Sequence, residues 1–127
     1  MRKRILVIDD EELLVKTFAR LLEKIDYDVS VASRPDDAIA MAQREDFDLV
    51  LCDIRMPGKN GVETVREMRT AQKEKGKQPA PVIFLTGFAD PKLERDAQTL
   101  HPAAYLYKPF DTMRLLEAVD SALKGTK

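Results

Sequence analysis

With 127 residues, 44% of them hydrophobic and only 5 Gly and 7 Pro, the chain has the size of one globular domain and is neither a disordered nor a collagen-like polymer. Lys+Arg at 21 against Asp+Glu at 22 leaves a net charge of −1, unlike a strongly basic nucleic-acid binder. A single cysteine excludes an internal disulfide, no apolar run approaches the roughly 20 residues of a membrane-spanning helix, and Asp9-Asp10 cut the first apolar patch short of a signal-peptide core. The expectation is a cytoplasmic, soluble unit over residues 1–127, without an effector domain, direct nucleic-acid binding or membrane association.

In chain order, the first strand reads over Arg4–Ile8, and its ILVI is apolar at successive positions. Leu14, Phe18, Leu21, Leu22 and Ile25 then share one helical face. A second strand reads over Tyr27–Ala32. Ser33 and Pro35 can open a helix whose stripe is Ala38, Met41 and Ala42. The third strand, Asp48–Cys52, precedes a helix facing inward through Val62, Val65 and Met68. The charged run from Thr70 to Gln78 reads as a solvated helix end and loop. The fourth strand is Pro81–Thr86. Asp90-Pro91 reads as the N-cap and first position of a short helix with Leu93, Ala97 and Leu100 inward, and His101 as a solvated cap at its far end. The fifth strand is Ala103–Tyr107. Asp111 opens the last helix, with Leu115, Leu116, Val119, Ala122 and Leu123 on one face.

Strands that are apolar at successive positions suit burial on both faces. Strands alternating with helices imply parallel pairing, with right-handed crossovers covering both sides of the sheet. The fold class is therefore α/β, a doubly wound five-stranded parallel sheet with five helices. Such sheets bind ligands beyond the carboxyl ends of their strands. At those ends stand Asp9 and Asp10, Asp53, Thr86, and Lys108. Carboxylates brought side by side must raise their pKa values or bind a cation. An all-oxygen set suits a hard divalent ion, Mg²⁺ in particular. Cation, lysine and hydroxyl together suit a phosphoryl group, and a central carboxylate can be the attacking group that forms an aspartyl phosphate.

The acidic pair Asp9-Asp10, DIRMPGKNGVE from Asp53 to Glu63, FLTG with Thr86, and YLYKPF with Tyr105 and Lys108 resemble, together and in order, the receiver domain of bacterial two-component response regulators, of the single-domain chemotaxis type. The resemblance runs from Ile5 to about Lys124. It implies a flavodoxin-like topology with strand order 2-1-3-4-5. It makes Asp53 the phosphoacceptor, loaded from a sensor histidine kinase or a histidine phosphotransfer protein. Asp10, Asp53 and the backbone carbonyl of Arg55 would bind Mg²⁺ (or Mn²⁺), with Asp9 acting through metal-bound water. Lys108 would pair with phosphoryl oxygens, its bond to Pro109 being usually cis. Thr86 would donate a hydrogen bond to the phosphoryl group, and Tyr105 would follow it as the aromatic switch. Pro57 and Gly61 would shape the loop after Asp53. Arg55 and Phe88 stand where the family tunes phosphoryl lifetime; here they imply slow self-dephosphorylation. The output face would run from Asp90 to Lys124 and serve a downstream effector, which the sequence does not identify, or a second copy of the chain. The chain would be no enzyme beyond catalysing its own phosphorylation and dephosphorylation.

Each residue also has a plainer use. The acids from Asp9 to Glu12 can cap a helix and complement its dipole. Asp53 can be a turn residue, Thr86 an ordinary strand end, Lys108 a surface lysine, Tyr105 and Tyr107 strand residues, and Cys52 an inert buried hydrophobe. Three other functions fit less well. Phosphatases with an aspartate nucleophile resemble D-x-D-x-T/V at the first strand, but here Asp9 is followed two on by Glu11 in DDEE, and Asp53 is followed two on by Arg55. Flavin or nucleotide binding wants a Gly-, Ser- or Thr-rich first loop, and that loop is acidic. A phosphorylation-independent docking module would not need the complete acidic, threonine and lysine set.

Overall fold

The computed structural model describes residues 2–109 and 111–124. The elements are β1 (Arg4–Ile8), α1 (Glu12–Lys24), β2 (Asp28–Ala32), α2 (Pro35–Arg44), β3 (Leu49–Asp53), α3 (Gly61–Glu74), β4 (Val82–Thr86), α4 (Pro91–Gln98), β5 (Ala104–Tyr107) and α5 (Thr112–Lys124). They form one parallel sheet in the order β2-β1-β3-β4-β5. The chain reverses direction across the sheet between β1 and β3, the position at which open α/β sheets form a crevice.

Side-chain alternation divides the core into two layers. Leu6, Ile8, Val50, Cys52, Val82 and Phe84 face the side covered by α2, α3 and α4. Ile5, Val7, Leu49, Leu51, Ile83, Leu85 and Leu106 face the side of α1 and α5. β1, β3 and β4 are buried along nearly their whole length, which is why they lack a polar alternation.

Several local expectations shift. On α1 the buried face is Val15, Phe18 and Leu22, with Leu14 and Leu21 at its edge. Ile25 leaves the stripe: it is the C-cap and 45% exposed. Ser33 does not cap α2; Arg34 occupies the N-cap without a side-chain bond, and Pro35 is the first helical residue as expected. Tyr27 lies just outside β2. The segment from Thr70 is not all solvated, because α3 continues to Glu74 and buries Ala71 and Gln72. Its exit is tied down by Lys77, which donates to the Gln43 carbonyl at 3.0 Å.

The remaining helix starts follow familiar chemistry. The Asp90 side chain accepts the Leu93 amide, and that of Asp111 accepts the Arg114 amide at 2.7 Å. α3 opens with a capping box, in which Asn60 accepts the Glu63 amide and Glu63 accepts the Asn60 amide, each at 2.9 Å. At the opposite edge of the sheet Arg4 bonds Glu45, lies 5.1 Å from the Phe47 ring centroid, and gives its amide to Asp48 at 2.8 Å.

Candidate functional site: an acidic pocket at the carboxyl edge of the sheet

The register assembles the site. Ile8 pairs with Cys52, so Asp9 and Asp53 are the next residues out on adjacent strands. Asp53 pairs with Leu85, and Thr86 pairs with Tyr107, which places Lys108 one step beyond. Continuing the alternation by one residue puts Asp9, Asp53 and Lys108 on the α1 and α5 side, and Thr86 on the other. The carboxylates and the lysine are thus directed to one face by parity before any bond forms.

Asp9, Asp10 and Asp53 each offer an oxygen within 4.8 Å of the others. Asp9 is fully buried and Asp53 is 5% exposed, whereas Asp10 opens to solvent. Lys108 Nζ donates to Asp9 Oδ2 and to Glu11 Oε1, both at 3.2 Å, and lies 3.6 Å from Asp53 Oδ1. Asp9 is further fixed by the Glu11 amide at 3.0 Å. The Lys108-Pro109 peptide is cis. Phe110, the last residue of the YLYKPF motif, lies outside the described residues.

Burial and crowding raise both inner acids. Asp53 is pushed up to about 6, first by desolvation and then by the Asp9 charge, while Lys108 and the Arg55 amide pull the other way. Asp9 is raised by desolvation, partly offset by the Glu11 amide and by Lys108. For Lys108, burial works against the charge, but Asp9, Asp53 and Glu11 together outweigh it and raise the ammonium. Burial also pushes the Cys52 thiol up, so this free cysteine behaves as a core residue.

The loop after β3 approaches closely because residue 61 is glycine. A Cβ there would stand 2.4 Å from the Asp53 carbonyl oxygen, and the Gly61 amide donates to the Ile54 carbonyl at 2.7 Å. Beside Asp10 a solvent-open groove of about 600 Å³ is lined by Ser33, Arg34, Pro57 and Lys59 among others.

Thr86 is not bonded to the carboxylates. Its hydroxyl, 1% exposed as a residue, donates to the Phe88 carbonyl at 3.1 Å and accepts the Phe88 amide at 3.2 Å. The Arg55 guanidinium lies 4.6 Å from the Phe88 ring centroid. Tyr105 is half-buried, with ring centroids 6.3 Å from Phe84 and 5.5 Å from Tyr107. Burial, then the charge of Glu94, pushes its phenol up to about 12. The Tyr107 hydroxyl bonds Glu94 on α4. Two contacts escaped the sequence reading: the Glu11–Lys108 bond, between residues 97 apart, and the Arg55–Phe88 stack. The Asn60 capping box does have a sequence signal, N-x-x-E before an apolar run.

A buried acid pair, an outer acid and a lysine at the switch point of a flavodoxin-like sheet define a receiver-type signalling domain rather than a nucleotide-binding one. Residues 5–120 match the family described as the response regulator receiver domain, and the chain belongs to that family of two-component signalling proteins. It is 35% identical to the transcriptional regulatory protein ZraR of Salmonella typhimurium over 97% of this chain and 27% of that one. It is 30% identical to the transcriptional regulatory protein PdtaR of Mycobacterium tuberculosis over 95% of this chain and 57% of that one. The chain therefore spans less than two thirds of either relative. Among solved structures, a CheY-like receiver domain protein from Methanospirillum hungatei superposes with a TM-score of 0.89 at 26% identity, covering 98% of this chain and 96% of that one. A response regulator from Burkholderia pseudomallei, whose structure carries a phosphorylated aspartic acid, a calcium ion and citrate, superposes with a TM-score of 0.78 at 26% identity, covering 98% of this chain and 73% of that one.

Proposed function

We propose that the chain is a phosphoacceptor switch whose Asp53 takes a phosphoryl group from the phosphohistidine of a sensor histidine kinase or a histidine phosphotransfer protein. The observation that carries this reading is the convergence of Asp9, Asp10 and Asp53 within 4.8 Å, with Lys108 3.6 Å from Asp53. A carboxylate oxygen of Asp53 attacks phosphorus; an O–P bond forms, the P–N bond breaks, and the departing imidazole takes a proton. Lys108 holds positive charge beside the oxygens that gain negative charge.

The all-oxygen donor set fits a hard divalent ion, Mg²⁺ or Mn²⁺. Asp10, Asp53 and the Arg55 carbonyl would hold it, with Asp9 acting through its bound water. When bound, the ion neutralises charge that the crowded carboxylates and an incoming phosphoryl group would otherwise leave unbalanced. The groove beside Asp10 leaves room for a donor to approach.

Once loaded, Asp53 offers new acceptor oxygens to Thr86, and Tyr105 follows Thr86 inward. The face built by α4, β5 and α5 then changes its population of states and is read by an effector or by a second copy of the chain. Arg55, by shielding or engaging the phosphoryl group, and Phe88, by blocking the attacking water, slow hydrolysis. The domain works in the cytoplasm and catalyses only its own phosphorylation and dephosphorylation.

The test is intact mass after incubation with acetyl phosphate and Mg²⁺, for the wild type and for Asp53→Asn. A gain of one phosphoryl group in the wild type only supports the reading. No gain in either protein overturns it in favour of docking without phosphorylation.

A further inference from the structure

Arg55 and Phe88 lie on different loops, each two residues beyond a residue of the site. Phe88 is 60% exposed, and the Arg55 guanidinium stacks on the face of its ring 4.6 Å from the centroid. The main chain of Phe88 is joined twice to the Thr86 hydroxyl, at 3.1 and 3.2 Å. One line of contacts therefore runs from Arg55 through the ring and backbone of Phe88 to Thr86. A hydroxyl has a single proton to donate, and that of Thr86 is spent on the Phe88 carbonyl. It is withheld from any group placed on Asp53 until residue 88 moves.

We propose that the Arg55–Phe88 stack is a latch that anchors residue 88, holds the Thr86 hydroxyl in its unphosphorylated position, and so biases the domain against the phosphoryl-bound state. The inference rests on the reading of Asp53 as phosphoacceptor and adds how that site is regulated. Phe88 is here a positioning residue, acting through Thr86. The release has a physical cause. Arg55 is two residues from Asp53, so an anion on Asp53 competes with the ring for the guanidinium. The stack then exists mainly in one of two states, which is what a ligand needs to shift a population.

The test uses beryllium fluoride with Mg²⁺, a mimic that occupies an acyl-phosphate site without turning over, and reads its affinity by fluorine NMR. An exposed cation–π contact is strong enough to shift that affinity about two- to fivefold. Phe88→Ala is expected to bind the mimic tighter by that factor, and its Thr86 methyl resonance in the free protein is expected to move toward the mimic-bound position. Phe88→Trp, which keeps a ring for Arg55, is expected to restore wild-type affinity. In an Arg55→Ala background, Phe88→Ala is expected to have no further effect, because the coupling is already gone. Equal or weaker binding by Phe88→Ala overturns the latch, as does a Phe88→Trp variant that behaves like Phe88→Ala. A shortened phosphoryl lifetime in Phe88→Ala with unchanged mimic affinity also overturns it, leaving the pair as a shield against water. A wild type that binds no mimic refutes the phosphoacceptor reading itself, and the latch with it.

Discussion

Replacing Asp53 by Asn isolates the electrostatic strain of the pocket. In the folded protein the Asp53 carboxyl stands at about 6 against an ordinary value of 3.8, because it is desolvated and faces Asp9. Each tenfold change in acidity is about 1.4 kcal/mol, so keeping Asp53 ionised at neutral pH costs the fold about 3 kcal/mol. That figure already contains the attraction of Lys108. The sign follows from proton uptake. Between 3.8 and about 6 the folded protein holds a proton that the unfolded chain releases, so this group lowers stability as pH rises through that window and levels off above it. Urea unfolding in metal-free buffer is expected to show Asp53→Asn more stable than wild type by about 3 kcal/mol at pH 7.5 and by about 0.5 kcal/mol at pH 4. Adding Mg²⁺ at pH 7.5 is expected to raise wild-type stability and to do much less for the variant, because a ligand that binds only the folded state stabilises it. A gain that is the same at both pH values, or absent at pH 7.5, refutes the assignment of strain to an ionised Asp53.

Gly61→Ala forces a Cβ to 2.4 Å from the Asp53 carbonyl oxygen; a loss of about 1–3 kcal/mol in urea unfolding is expected, with slower phosphorylation by acetyl phosphate as the loop moves away. Asn60→Ala removes the accepting half of the α3 capping box; a loss of about 1 kcal/mol is expected, and an unchanged midpoint would show that water caps the helix as well. Cys52 is fully buried with its thiol held protonated; a thiol reagent is expected to react with it only in denaturant, and rapid labelling of the native protein would contradict that burial.

Much of the fold was written in local patterns. Runs such as ILVI, LVLC and VIFL lack a polar alternation because both of their faces are covered, and that marked a parallel sheet between helix layers. The Asp90-Pro91 pair marks the start of α4, and Asp111 that of α5, because capping is decided within a few residues. Ile25 and Ser33 depart from their local patterns for the opposite reason: whether the last residue of a stripe is covered, or which residue of a turn becomes the cap, depends on where the neighbouring strand enters. The stretch after Thr70 looked solvated by composition, yet Ala71 and Gln72 are buried where α3 continues.

What the sequence determined by itself is the inventory at the strand ends: Asp9, Asp10, Asp53, Thr86 and Lys108, each two-residue neighbourhood recognisable without coordinates. The tertiary structure decided how these groups are divided. Strand register and side-chain parity put Asp9, Asp53 and Lys108 on one face and Thr86 on the other, and only three-dimensional packing brought Arg55 onto Phe88 and Glu11 to Lys108. Residue type and short-range spacing specify which chemistry is available. Contacts between residues as much as 99 positions apart depend on the order and twist of strands that no local pattern encodes.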